Sequence, residues 1–197
     1  MTETQSVAAA PLPSFENGGP APAGTHIGHV HLKVSDLARA VWFYHEVMGF
    51  DLLFNMGTAA FLSAGGYHHH IALNTWQSKG AEPAPQNSTG LYHFAINYPK
   101  RRDLAAAVKR LYDHGWQIDG AQDHTTHEAI YLHDPDFNGI ELACDRDPSF
   151  WKLMLNPTPD AWRTMNKPLD FDALMGELGD PDESGAARYL PTLRTYR

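Results

Sequence analysis

Polar and apolar residues alternate through Gly28-His29-Val30-His31-Leu32-Lys33-Val34. Val30, Leu32 and Val34 share one parity, and His29 and His31 share the other. This period of two predicts a half-buried strand whose open face carries imidazoles. The period then changes. Leu37 to Tyr44 reads as a helix, capped by Ser35 or Asp36 and stopped at Gly49, a residue suited to a left-handed turn. Three short strands are predicted at 50–54, 59–63 and 67–76, with Gly57, Gly65 and Gly66 between them. Residues 77–90 carry Gly, Pro, Ser and Asn without an apolar period and read as a loop. The pattern then restarts with a strand at 91–98 and a helix at 104–112, capped by Asp103 and ended by Gly115. Strands at 116–118, 129–132 and 140–144 follow, separated by a polar loop at 123–128 and a turn at 134–139.

The restart is an internal repeat of about 65 residues, each unit reading βαβββ. The predicted fold class is α+β: two tandem βαβββ modules, 25–80 and 91–146, joined by a linker at 81–90. Neither module can cover the concave face of its own sheet. Pairing the two would form a curved mixed sheet around a cleft. Residues 1–24, rich in Ala, Pro, Thr and Ser, read as a flexible arm. Residues 147–197 read as an extension packed on the module pair or on a partner subunit. The extension holds an apolar stretch, Phe150 to Leu155, and a short helix within 168–175 capped by Asp170.

Composition narrows the class. Of 197 residues, 43% are hydrophobic and 19% charged, which supports a packed core. The formal net charge of −8 argues against nucleic acid or an anionic membrane as partner, since either needs a basic face. No apolar run approaches the ~18–20 residues of a bilayer span. The N-terminus lacks a basic start followed by an apolar segment, so it does not read as a secretory signal. Cys144 is the single cysteine; it reads as buried filler in a reducing, cytoplasmic setting. Twelve histidines, several of them clustered, are the anomaly that calls for a chemical reason.

Superposing the repeats places His29 in the first strand of module one and His93 in the first strand of module two, with Glu141 in the last strand of module two. Two neutral imidazoles and a carboxylate on one face make a facial triad, a set that leaves coordination positions open and suits non-haem Fe(II), with Mn(II) as a substitute. In module one, Ala72 stands where Glu141 stands in module two. A second carboxylate there would complete four ligands and favour isomerisation over oxygen chemistry. His31, on the parity of His29, is the alternative ligand. His45, His114, His127 and His133 read as surface or packing residues.

These residues resemble the vicinal oxygen chelate superfamily, which includes glyoxalase I, extradiol catechol dioxygenases, and bleomycin and fosfomycin resistance proteins. The likeness rests on the repeats, on His29 to Phe50 with Ser35-Asp36-Leu37 and Phe43-Tyr44, and on Asp134-Pro135-Asp136-Phe137-Asn138-Gly139-Ile140-Glu141-Leu142. Within that superfamily it is similar to small one-domain extradiol dioxygenases. The resemblance implies a metal held by His29, His93 and Glu141, and His70 as the acid–base residue. It implies that His124 and Tyr131 hydrogen-bond a catechol oxygen. The implied reaction is ring cleavage of a small aromatic diol by O2 with Fe(II), in a homodimer or higher homo-oligomer. A glyoxalase-like lyase or isomerase and a metal-free small-molecule binding protein are the alternatives.

Overall fold

The computed structural model describes residues 19–154 and 158–179. Most of the predicted N-terminal arm, and the extension from residue 180, lie outside the described residues.

The repeat is visible in strand pairing. In the first sheet, β1 (Val30–Lys33) runs parallel to β4 (Ile71–Asn74), which pairs antiparallel with β3 (Ala59–Ser63) and through it with β2 (Asp51–Asn55). In the second sheet, β5 (Phe94–Asn97) runs parallel to β8 (Gly139–Asp145), followed by β7 (His127–His133) and β6 (Gly120–Asp123). The strand order 1-4-3-2 recurs as 5-8-7-6. Register makes the equivalence exact to the residue: Val30 sits opposite Ile71 as Phe94 sits opposite Ile140. His29 and His93 are therefore counterparts, each immediately before its strand, and Ala72 is the counterpart of Glu141.

Helix α1 (Leu37–Trp42) is capped by the Asp36 carboxylate, which accepts from Arg39 N–H, and continues as a π-helical turn to Val47. Gly49 ends it with φ +81°. Helix α2 spans Arg101–Asp113, starting earlier than the pattern predicts; Asp103 lies in its first turn, where a negative charge favours the helix dipole. A second difference falls at 116–118. These residues pair with no strand, and β6 begins only at Gly120. Trp116 instead packs on Phe43, and its indole N–H donates to the His133 carbonyl, while Ile118 is buried. The apolar signal there reflects core packing, which period-two reasoning cannot separate from strand pairing. The predicted polar loop shrinks to 124–126, with Thr125 at φ 67°.

The modules share one core. Phe43 and Tyr44 of module one are fully buried in a cluster that also holds Leu104, Val108 and Leu142 of module two. Polar contacts fix the join. Tyr44 Oη donates to Asp134, and Asp136 accepts from the Ser35 backbone N–H, the Ser35 hydroxyl and the Arg39 guanidinium. The Asp134 carboxylate also receives three donors from Asp136 and Asn138 within its own turn. Burial holds the Asp134 carboxyl above its usual value against those hydrogen bonds. It likewise holds the Tyr44 phenol well above its own.

The extension closes the free edge of the second sheet. Short strand β9 (Lys167–Pro168) pairs with β6, and helix α4 (Phe171–Met175), after α3 (Pro159–Thr164), buries Phe171 and Leu174. Asp170 caps α4, as the pattern predicts. Arg101 latches it by donating to the Ala173 carbonyl, Glu177 and Glu128. No helix among the described residues is long and apolar enough to cross a membrane.

Candidate metal centre

The centre is built on β7 and β8. Glu141 is 6% exposed although it lies between Ile140 and Leu142, because its side chain takes the face opposite the core. Its two oxygens each meet an imidazole: Oε2 lies 2.9 Å from His93 Nε2 and Oε1 lies 3.0 Å from His127 Nε2. Gly139 permits this approach. A Cβ there would fall 2.1 Å from the Tyr92 carbonyl oxygen and 3.1 Å from His93 Cβ. Burial pushes the Glu141 carboxyl up, but the His127 hydrogen bond and the charges of His127, His93 and His124 outweigh it, and the group is held below its usual value.

Beside this pair stands Tyr131, directly opposite Glu141 in register. Its hydroxyl lies 2.7 Å from His124 Nε2. Burial, with the Glu141 charge near it, pushes the phenol up to about 12, so it is a proton donor at neutral pH. The other nitrogen of His124 meets Asn166 Oδ1 of the extension at 2.6 Å. An amide oxygen only accepts, so His124 carries its proton on Nδ1 and takes the Tyr131 proton donation at Nε2. A pocket of about 200 Å³ opens among these groups, with Met154, Met165 and Asn166 of the extension as its outer wall.

The site residues read from the sequence fall into two groups. His93, Glu141, Tyr131 and His124 come together. His29 and His70 stand on module one. The His29 ring contacts His69 and His68 at centroid distances of 4.3 and 6.1 Å. His70 accepts the Ala64 N–H at Nδ1 and lies by the Ser63 hydroxyl. Among the described residues no three His, Cys, Asp or Glu side chains are gathered closely enough to hold an ion. His31 is engaged with the Asn74 amide and Trp76.

Sequence reasoning missed His127, read there as surface or packing. The signal existed: with β7 starting at residue 127, His127 falls on the parity of Tyr131. Asn166 carried no signal, because its role arises from how the extension folds back. Cys144 is buried, and burial with the nearby Glu128 and Asp145 charges pushes its thiol up, as suits an inert core residue.

The donor chemistry suits a divalent first-row metal. Two imidazole nitrogens and a shielded carboxylate, already turned toward one another at hydrogen-bond distance, are the ligand types such an ion takes. His93 and Glu141 could take that role together with a third donor.

The model of the Glyoxalase/Bleomycin resistance protein/Dioxygenase superfamily matches residues 26–142. The chain belongs to this superfamily. It is 39% identical over 157 residues to the catechol-2,3-dioxygenase of Bacillus subtilis (strain 168), covering 79% of this chain and 53% of that protein. It is 27% identical over 119 residues to biphenyl-2,3-diol 1,2-dioxygenase 3 of Rhodococcus globerulus, covering 60% of this chain and 63% of that one. The chain thus spans about half to two thirds of these relatives. Two further relatives are named as a metallothiol transferase and a glutathione transferase, so membership alone leaves the reaction open. Among solved structures, a glyoxalase/dioxygenase from Nostoc punctiforme matches with TM-score 0.53 and 21% identity, over 66% of this chain and 99% of that one. It supports the fold.

Proposed function

We propose that the protein is an extradiol dioxygenase that opens a small catechol-type ring with O2, using Fe(II), with Mn(II) as a substitute. The observation that carries this reading is the buried Glu141 carboxylate between imidazole Nε2 atoms, with the Tyr131–His124 pair beside it. His93 and Glu141 hold the ion from module two, and His29 supplies the third donor from module one. Such an ion would bind the diol as a Lewis acid and would activate dioxygen.

The chain's own residues do the rest. His70, carried with His29, exchanges a proton with the substrate hydroxyl. Tyr131 hydrogen-bonds the diol oxygen, and His124 sets the direction of its proton. Met154 and Met165 shield the pocket from water. The register favours this reading over a lyase or isomerase, since Ala72 withholds the second carboxylate.

Because His29 is not gathered with His93 and Glu141 in the single chain, we infer a homo-oligomer in which a first module is brought onto the second, in the same or the partner subunit. β2 is exposed along its whole length, with Leu52, Leu53 and Phe54 uncovered, which leaves a surface for a second copy.

The test is anaerobic purification, metal analysis and a catechol panel read by the ring-fission product. Tight Fe(II) uptake with product formation supports the reading, and a fully active Glu141→Ala variant refutes it. Mixing inactive His29→Ala chains with inactive Glu141→Ala chains restores activity if the site is shared between subunits.

A further inference from the structure

His127 touches Glu141 but is neither one of the three proposed ligands nor a proposed substrate contact. It is the first residue of β7, on the face of the strand that carries Tyr131. Its Nε2 lies 3.0 Å from Glu141 Oε1, while His93 Nε2 lies 2.9 Å from Oε2. Each carboxylate oxygen thus meets one imidazole. Two observations show that these imidazoles are not equivalent.

The first comes from the repeat. Phe61 and Tyr131 hold equivalent places, opposite Ala72 and Glu141. Four residues before them stand Gly57 in module one and His127 in module two. Module one therefore lacks both the carboxylate and the imidazole at Oε1, yet it keeps His29, the counterpart of His93. The histidine at Oε2 recurs without a carboxylate, and the histidine at Oε1 occurs only with one. The second observation is the far side of the ring. His127 Nδ1 lies 2.9 Å from the hydroxyl of Thr126, a buried residue. A carboxylate only accepts, so the hydrogen sits on His127 Nε2. In the neutral ring Nδ1 then accepts from the Thr126 hydroxyl, which fixes that tautomer. The His124 ring packs against it at a centroid distance of 4.8 Å. A ring held in this way has no free lone pair to offer an ion.

We propose that His127 is a positioning residue: it donates to Glu141 Oε1, fixes the plane of the carboxylate, and leaves Oε2, beside His93, as the oxygen that meets the metal. A carboxylate bound through one oxygen takes one coordination position instead of two. More of the ion is then left for a substrate that brings two oxygens. Thr126 acts one step further back, by setting the tautomer of the ring. The proposal rests on Glu141 being a metal ligand, as in the reading above, and not on the identity of the diol.

The test uses the full chain stripped of metal, titrated with Mn(II) against a chelator, and nitrogen NMR with Zn(II) as a diamagnetic probe. Wild type takes up Mn(II), and Glu141→Ala binds it more weakly by about 100-fold or more. If wild type takes up no ion, or Glu141→Ala binds as wild type does, the metal-centre reading falls and the proposal falls with it. Where both results hold, His127 is judged by its own variants. His127→Leu weakens Mn(II) binding by about 10- to 100-fold. His127→Gln, whose amide N–H can donate to the same oxygen, stays within about threefold of wild type, which also separates a lost donor from a fold defect. On Zn(II) binding, His93 loses its Nε2 hydrogen and His127 keeps its own. The proposal is overturned if His127→Leu binds Mn(II) as wild type does, or if His127→Gln loses as much as His127→Leu. It is equally overturned if Zn(II) removes the hydrogen from His127 Nε2, which would make His127 a ligand.

Discussion

The two modules are the same object built twice, and they differ where chemistry is wanted. Strand order matches, and the β1–β4 and β3–β4 registers match those of β5–β8 and β7–β8 residue for residue, whereas β2 carries a register shift that β6 lacks. Opposite one another in module one stand Phe61 and Ala72; at the same places in module two stand Tyr131 and Glu141. One hydroxyl and one carboxylate turn a packed face into a candidate metal centre. The edges differ as well. β2 is exposed at every residue, whereas its counterpart β6 is paired by β9 of the extension. Duplication therefore supplies the scaffold, and single positions plus an appended segment supply the asymmetry.

Changes at these positions should break the comparison to different depths. Glu141→Ala removes the carboxylate that module one lacks. Metal affinity should fall by more than the roughly 100-fold typical of losing a group that merely supports a ligand, read by competition with a chelator. Phe43→Ala empties the core position where the modules meet on Trp116. It should cost about 3–5 kcal/mol in urea melts, with both modules unfolding together. Ala72→Glu imposes the second carboxylate on module one at a fully buried position, beside Phe61 and without a bound imidazole pair. The metal-free protein should lose on the order of 3 kcal/mol, and added divalent metal should recover part of it. Melts with and without Mn(II) check this.

Asn166→Ala acts more gently. It frees His124 to take either tautomer without removing a group from the pocket wall that holds charge. Long-range nitrogen NMR should show the Nδ1–H form in wild type and a mixture in the variant, with a fall of roughly 10-fold in turnover and little change in KM. The smallest effect is electrostatic. Burial raises the Asp123 carboxyl, but its pairing with Arg146 wins and holds it below the usual value. The folded state then binds fewer protons than the unfolded one between those two values. The stabilisation is present above about pH 4 and is lost as pH falls through the lower, folded value. Solvent screening limits it to a few tenths of a kcal/mol. Melts of wild type and Asp123→Asn from pH 6 to 3 should converge at the acid end.

Much of this molecule was legible in order of residues alone. Strand parity, capping aspartates at 36 and 170, and the recurrence of His and Ile-x-Leu segments determined the repeat, the pairing of His29 with His93, and the Ala72 to Glu141 contrast. Those signals are local, and local chemistry reports them faithfully. The tertiary structure alone decided that Trp116 packs on Phe43 instead of extending a strand. It also turned His127 onto Glu141 and folded Asn166 back to His124. Each of those depends on contacts between segments far apart in the chain, where packing and unmet hydrogen bonds, rather than period or propensity, select the partner.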